Sequence, residues 1–112
     1  MEKLTEQKCE ACRLGSPPAT AEEIATFLPQ IPEWEIITIT DIERLSRTYR
    51  FGNFAEALDF TNRVGALAEA ERHHPAIITE WGKVTVQWWT HKIKGLHRND
   101  LIMAAKTDAL LK

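Results

Sequence analysis

Hydrophobic positions along the chain follow two periods, one typical of helices and one typical of strands. In TAEEIATFL, residues 20–28, the apolar positions lie three or four residues apart and define one helical face. Thr20 and Glu23 have the spacing of a capping box, in which each side chain binds the other residue's backbone N–H. The pattern therefore predicts a short helix that begins after Thr20 and ends at Pro29, because proline cannot continue a helix.

Two strand-like segments follow this helix. Residues 34–40, WEIITIT, are rich in β-branched side chains. Residues 44–51, RLSRTYRF, alternate between polar and apolar side chains, with Arg47 as the exception on the apolar side. Asp41 lies between the two segments, at a position suited to a turn. We therefore predict a hairpin whose second strand is half-buried.

A longer helix is predicted next. Asn53 and Glu56 repeat the capping signal, and apolar residues then recur at helical spacing as far as Ala68. Pro75 restricts the residue before it to extended backbone, so this helix must end near His73. The prediction thus places a His-His-Pro sequence at the point where a helix stops.

The rest of the chain predicts two more strands and a last helix. Residues 76–81 and 84–91 are rich in β-branched and aromatic side chains. Gly82 and Lys83 between them suit a type II′ hairpin, in which glycine takes the first turn position. A helical pattern then covers about residues 97–111, with Ile102, Ala105 and Ala109 along one face.

These elements define an α+β fold in the order α-β-β-α-β-β-α. We predict a four-stranded antiparallel sheet with the helices packed on one face. Residues 1–19 are predicted to be an irregular N-terminal arm, and residues 20–112 a single domain. The chain of 112 residues has room for only a modest core, so association with other copies would add stability.

Composition and charge exclude several classes of function. Hydrophobic residues make up 44% of the chain and charged residues 27%, which are ordinary values for a globular domain. A net charge of −2 gives no reason to expect non-specific binding to nucleic acid. The sequence contains no apolar run of membrane-spanning length and does not open with a signal peptide. We therefore expect a cytoplasmic protein without a membrane or nucleic-acid partner.

Cys9 and Cys12 form a single CxxC sequence. A zinc site needs further ligands at suitable spacing, and a redox motif should follow a strand and open a helix. Here the motif precedes RLGSPPAT, a loop-like stretch. The favoured interpretation is an N-terminal arm without chemistry, although a metal or redox site stays open as the alternative.

A group of histidines and carboxylates carries the candidate chemistry. Glu69 precedes His73 by four residues, so both should lie on one helical face. His73 is predicted at the helix C-terminus, where the dipole favours a cation. His74 leaves in another direction, His91 ends a strand, and Asp100 falls in the first turn of the last helix. If these ends meet at one edge of the sheet, the groups can line one pocket.

Each of these residues also has an ordinary structural interpretation. A histidine at a helix end is a common cap, and a histidine at a strand end is often solvated. Asp100 near a helix start can serve the helix dipole alone. His97 is expected at the surface, near the start of the last helix. The spacing by itself leaves the choice open.

Three segments resemble the pterin-4a-carbinolamine dehydratase family: EAERHHP, EWGKVTVQWWTH and KGLHRND. Their shared pattern has an acidic residue, three intervening positions, His-His-Pro, an aromatic strand, Thr-His, Gly-Leu and an Asp nine residues after that His. Every element is present between Glu69 and Asp100, and a weaker resemblance extends over roughly residues 30–110. The CEACR arm resembles the bacterial branch that serves phenylalanine hydroxylation. His97 departs from the family's usual Thr or Ser at the helix cap.

The resemblance implies an activity and a set of site residues. The family removes water from 4a-hydroxytetrahydropterin to give quinonoid dihydropterin. The resemblance implies that the active-site histidines are His73, His74 and His91. We expect His73 and His91 to act as acid and base, and His74 to hold the pterin. The expected supporting carboxylates are Glu69 and Asp100, with Asp100 as a charge partner of His91; weaker expectations for substrate binding are Pro75, Trp89 and Thr90.

Partners and alternatives follow from the same comparison. The resemblance implies a homodimer joined through strands or a homotetramer joined through helices, a functional link to phenylalanine hydroxylase, and no metal or nicotinamide cofactor. Three histidines and an aspartate would also suit zinc, so a metal site stays open. The family also resembles a dimerisation cofactor of a transcription factor, so a non-catalytic protein-binding module is the second alternative.

Overall fold

The structure, a computed structural model, describes residues 3–6 and 17–111. Cys9 and Cys12 lie outside these residues. The regular elements are α1 (Ala21–Phe27), β1 (Glu35–Ile39), β2 (Ile42–Arg50), α2 (Phe54–Glu71), β3 (Ala76–Glu80), β4 (Lys83–Trp88) and α3 (Arg98–Ala109). Two short 3₁₀ turns, Leu4–Glu6 and Leu28–Gln30, complete them. The predicted order of helices and strands is confirmed.

The four strands form one antiparallel sheet in the order β1-β2-β4-β3. Leu45 and Tyr49 of β2 share a face with Val84, Val86 and Trp88 of β4, and all five are buried. These side chains join the buried residues of α2 and α3 in one core, so the helices cover one face of the sheet. The predicted α+β architecture is confirmed, and the other face of the sheet carries the polar residues of the alternation.

Local sequence signals place the element boundaries. Thr20 and Glu23 form the predicted capping box before α1, with both hydrogen bonds at 3.0 Å. Asn53 accepts a hydrogen bond from the backbone N–H of Glu56 at 2.8 Å and begins α2. Thr40 and Asp41 both adopt positive φ, the requirement of the type I′ turn that suits a two-residue hairpin.

The β3–β4 turn differs from the prediction by one residue. Glu80 pairs with Lys83, so the loop consists of Trp81 and Gly82. Gly82 takes the second position with φ of 73°, which is the pattern of a type II turn and not of type II′. Its carbonyl accepts a hydrogen bond from Phe51 at 2.8 Å, and this contact between strand ends fixes the turn.

Arg47, the exception in the strand alternation, has a partner on α3. Its guanidinium donates to Asp108 Oδ1 at 2.7 Å, and the same oxygen accepts hydrogen bonds from Trp34 Nε1 at 3.0 Å and from the Tyr49 hydroxyl. Burial, followed by the bond to Asp108, raises the pKa of Tyr49 well above its ordinary value, so the phenol stays a donor. The cluster fixes the C-terminal end of α3 over β2.

The last helix is buried on more sides than the sequence predicts. Ile102 and Ala105 lie in the core as expected, but Ala109 is exposed, and Asn99 through Ala105 are buried without interruption. The additional cover includes Leu4, which is fully buried beside α3 although it belongs to the arm predicted as irregular. Within the described part of the chain, no helix has the length and apolar character needed to span a membrane.

Candidate active site

The end of α2 places the two adjacent histidines. Arg72 adopts the left-handed conformation with φ of 53°, and its N–H approaches the carbonyl of Glu69. The N–H of His73 donates to the carbonyl of Ala68 at 3.1 Å, which completes a Schellman motif. The chain therefore turns sharply before His73, and Pro75 leads into β3 two residues later. His73 and His74 leave the turn in different directions.

His73 forms a buried pair with Asp100. His73 Nε2 lies 2.6 Å from Asp100 Oδ1, and the side chains are 9% and 0% exposed. The second oxygen of Asp100 accepts hydrogen bonds from the Thr90 hydroxyl and from the backbone N–H of His97, both at 2.8 Å. The carboxylate is thus held by three donors from three parts of the chain, and it holds the imidazole in turn.

A tryptophan supports His73 from within the core. The rings of His73 and Trp88 are stacked almost parallel, with 5.7 Å between centroids and an angle of 6°. Trp88 Nε1 donates to the Thr107 hydroxyl at 3.0 Å, and that hydroxyl donates to the Met103 carbonyl. The ring plane of His73 is therefore fixed by the stacked indole as well as by Asp100.

The other two histidines lie on the open side of the site. His74 Nε2 contacts the carboxylate of Glu69, and both side chains are largely exposed. His91 Nε2 donates to the backbone carbonyl of His74 at 3.2 Å. The Trp89 ring lies beside the His91 ring, with 4.5 Å between centroids. The three histidines therefore lie at the end of the sheet where β3 begins and β4 has ended.

All three imidazoles are held at the same nitrogen. Each Nε2 faces an acceptor: the carboxylate of Asp100, the carboxylate of Glu69 or the carbonyl of His74. A carbonyl or an ionised carboxylate can only accept, so the proton belongs on Nε2 in each neutral ring. His74 and His91 are exposed, and His73 is almost fully buried. This arrangement can give a proton at one ring and take a proton at another.

Two predicted pairings are wrong. Glu69 does not share a helical face with His73, because the chain leaves the helix at Arg72, and Glu69 contacts His74. Asp100 binds His73 and not His91, because α3 presents Asp100 to the buried side of the site. The residue types gathered at the site are those predicted, but their partners are exchanged.

The residues predicted more weakly to bind substrate have different positions in the structure. Thr90 is 1% exposed, and its hydroxyl donates to Asp100, so it supports the carboxylate from behind. Trp89 lies beside His91, and Pro75 joins the histidines to β3. His97 is buried, contrary to the prediction, and caps α3 by accepting the N–H of Asn99 at its Nδ1. Imidazole thus performs the capping function expected of Thr or Ser.

Sequence reasoning missed two supporting residues. Thr107 anchors Trp88, and Arg44 lies over the Trp89 ring with 3.8 Å from its guanidinium carbon to the ring centroid. Strand alternation assigns Arg44 and Trp89 to the polar face, but only the strand register shows that they meet. Among residues 3–6 and 17–111, no three His, Cys, Asp or Glu side chains are grouped to hold a metal ion.

Comparison with known proteins identifies the family. The sequence model described as pterin 4 alpha carbinolamine dehydratase matches residues 17–110. The chain belongs to this family. The match includes α1 to α3 and therefore every residue of the candidate site.

Similar proteins in this family come from several bacteria. A protein of Syntrophotalea carbinolica is 78% identical over all 112 residues of this chain, which cover 100% of that protein. A protein of Nitrosococcus oceani is 62% identical, with 100% of this chain and 99% of that protein covered. Both carry the name "Putative pterin-4-alpha-carbinolamine dehydratase".

Solved structures share the fold but differ in their described roles. A transcriptional coactivator/pterin dehydratase from Brucella melitensis has a TM-score of 0.74 and 26% identity, covering 86% of this chain and all of that chain. A pterin dehydratase-like RuBisCO assembly factor of the alpha-carboxysome has a TM-score of 0.59 and 24% identity, covering 70% and 88%. The second likeness concerns the fold alone.

Proposed function

We propose that this protein is a lyase that dehydrates 4a-hydroxytetrahydropterin to quinonoid dihydropterin. The observation that carries the proposal is that three histidines lie at one end of the sheet, each held at Nε2 by an acceptor. Family membership and the names of the bacterial relatives support the same substrate class. The reaction recycles the pterin of aromatic amino acid hydroxylation, so a functional link to phenylalanine hydroxylase in the cytoplasm belongs to the proposal.

The reaction needs one proton donor and one proton acceptor. The bond from C4a to the hydroxyl oxygen breaks as that oxygen takes a proton and leaves as water. The lone pair of the adjacent ring nitrogen forms the new double bond, and its N–H proton passes to a base. Histidine can serve in both functions near neutral pH. We assign the acid and base to His73 and His91, and pterin binding to His74.

Carboxylates orient two of the three imidazole rings. The buried Asp100 orients the His73 ring and fixes its tautomer, as carboxylates do in other histidine sites. Glu69 does the same for His74 in a more solvated setting, where its effect is weaker. Trp89, beside His91, would border the pterin ring. No step of this mechanism needs a metal ion or a nicotinamide.

Treatment with a strong chelator should leave the dehydration rate unchanged, because the proposed proton transfers use imidazole alone. The measurement is the initial rate of 4a-hydroxytetrahydropterin dehydration before and after chelation and removal of the chelator. Protein carried through the same steps without chelator is the control. A large loss of rate that added zinc restores would favour the metal alternative.

We expect a closed homo-oligomer, either a dimer or a tetramer. The outer strands β1 and β3 present sheet edges, and such edges often pair with another chain. Phe54 and Leu58, one turn apart on α2, are 45% and 44% exposed and offer an apolar helix surface. Sedimentation at micromolar concentration should show the oligomer. A single monomeric species would contradict this prediction, and Leu58→Glu should reduce a helix-joined assembly to a smaller one.

A protein-binding module is the second candidate. It is favoured by the likeness to a structure described as a transcriptional coactivator/pterin dehydratase. The same exposed pair on α2 would serve as its contact surface. Replacement of the three histidines distinguishes the two functions. A binding module would still bind its partner, whereas an enzyme would lose its dehydration rate.

A further inference from the structure

Arg44 lies on the open face of the sheet, beside the candidate active site. On β2 it is paired with Ile37 of β1, and its guanidinium stacks on Trp89. Trp89 in turn lies beside His91. Arg44 is thus one indole ring away from a proposed catalytic imidazole.

The hydrogen bonds of this guanidinium are incomplete. Nη1 donates to Gln87 Oε1 at 3.1 Å. Nε is buried and has no hydrogen-bond partner, and it is the one such buried side-chain nitrogen or oxygen in residues 3–6 and 17–111. Buried polar atoms are nearly always paired in folded proteins, so the hydrogen bonding of Arg44 is not satisfied by the described residues alone.

Several other cations of the domain are balanced by a carboxylate, and Arg44 is not among them. Arg47 pairs with Asp108, Arg63 with Asp59, and Lys106 with Glu71. Among the described ion pairs Arg44 takes part in none, although it stacks on an aromatic ring. A guanidinium presents five N–H donors in a planar fork that matches carboxylate and phosphate oxygens. Arg44 therefore combines a fixed position with an unpaired Nε and a charge that no described ion pair balances.

We propose that Arg44 makes the site selective for pterins whose side chain carries an anionic oxygen group, either a carboxylate or a phosphate. This inference rests on the proposed dehydratase function. In a pterin, one ring nitrogen separates the reacting C4a from C6, the carbon that bears the side chain. A substrate with C4a at the histidines therefore begins its side chain close to them, within reach of the neighbouring Arg44.

The test compares pterins that differ in charge. Pterin-6-carboxylate and 6-hydroxymethylpterin form one pair, and neopterin phosphate and neopterin form the other. Binding is followed by pterin fluorescence on the full chain. The wild-type protein should bind at least one anionic pterin about tenfold more tightly than its neutral counterpart, the size expected of a charge-assisted hydrogen bond. A preference within the first pair would indicate a carboxylate as the group that Arg44 binds, and a preference within the second pair would indicate a phosphate.

Variants assign the preference to Arg44. Arg44→Gln should abolish the tenfold preference, because it weakens binding of the anionic pterin about tenfold more than binding of the neutral one. Arg44→Lys should keep part of the preference, because the charge remains and the planar fork is lost. Arg50→Gln is the matched control, since Arg50 lies on the same face of the same strand, about 20 Å away. It should bind as the wild type does.

Three results would overturn the inference. Equal affinity of the wild type for charged and neutral pterins would remove the selectivity itself. Equal weakening of both ligands in Arg44→Gln would show that Arg44 only supports Trp89. Failure to bind any of the four pterins would reject the proposed function together with the inference, whereas neutral binding without a charge preference would reject the inference alone.

Discussion

Replacing His74 by alanine should lower the dehydration rate by about 10²–10⁴-fold with the fold intact. His74 is an exposed histidine that contacts Glu69, so its loss leaves the core untouched. The simultaneous change of His73 and His91 to alanine should have an effect of similar size, because it removes the proposed acid and base together. Either single change should retain part of the activity, since the remaining histidine can still transfer a proton. The measurement is the steady-state rate of each purified variant.

The fourth histidine provides the control for this experiment. His97→Ser keeps a cap for α3, because a serine oxygen can accept the N–H that His97 Nδ1 accepts now. It should keep the wild-type rate within a few-fold. Thermal melts verify the folding of every variant. Near-normal rates in His74→Ala and in the double variant would leave these histidines as structural residues only.

Replacing Asp100 by alanine should destabilise the fold by about 3–5 kcal/mol and impair catalysis in the molecules that stay folded. The substitution removes a fully buried carboxylate. Its three donors, which are His73, Thr90 and the backbone N–H of His97, then lack an acceptor. Asp100→Asn fills the same space, so it should fold better. Its amide oxygen would accept from Thr90 and His97, so its NH₂ would face His73 Nε2 and reverse the tautomer of the ring, and we expect a rate loss of at least about 10²-fold. Denaturant unfolding and the rate per folded molecule are the measurements.

Asp108 is the matched control for Asp100. It lies on the same helix, about 12 Å further along, and its carboxylate also accepts hydrogen bonds from three donors. Asp108→Ala should lower the free energy of unfolding, because Arg47 and Tyr49 lose their partner, and it should leave the rate per folded molecule close to wild type. If Asp100→Asn also kept its full rate, Asp100 would have a structural function alone.

The fold could be predicted from the sequence because its decisive signals are local. The capping residues Thr20 and Asn53 and the alternation of β2 depend on neighbours within a few positions. These signals agree with one another, so the order of elements follows from them. The predicted position of the β3–β4 turn was wrong by one residue, because a local pattern does not show the contact of Gly82 with Phe51, 31 positions earlier.

The partners within the site could not be predicted in the same way. The left-handed conformation of Arg72, a non-glycine residue, turns the chain before His73 and gives Glu69 to His74. Propensity alone disfavours that conformation, so the sequence indicated a helix that continues to His73. The contact between His73 and Asp100 joins residues 27 positions apart and depends on how α3 packs. The resemblance supplied the residue types, and tertiary packing decided their pairs.

Arg44 shows the same limit on the open face of the sheet. Its place among polar residues follows from strand alternation. Its stacking on Trp89 and its unpaired Nε depend on the β2–β4 register and on the path of the chain after β4. Both were beyond the reach of sequence periodicity.

The most direct test of the proposed function is the dehydration rate of 4a-hydroxytetrahydropterin with the purified wild-type protein, followed as quinonoid dihydropterin forms. Dehydration without protein gives the baseline, and the protein with His73, His74 and His91 all changed to alanine gives the control. The wild type should accelerate the reaction by at least about 100-fold, the lower range for positioned acid–base groups, and the triple variant should fall to the baseline. A wild-type rate equal to the baseline would contradict the proposed function, and an accelerated rate that persisted in the folded triple variant would contradict the histidine mechanism.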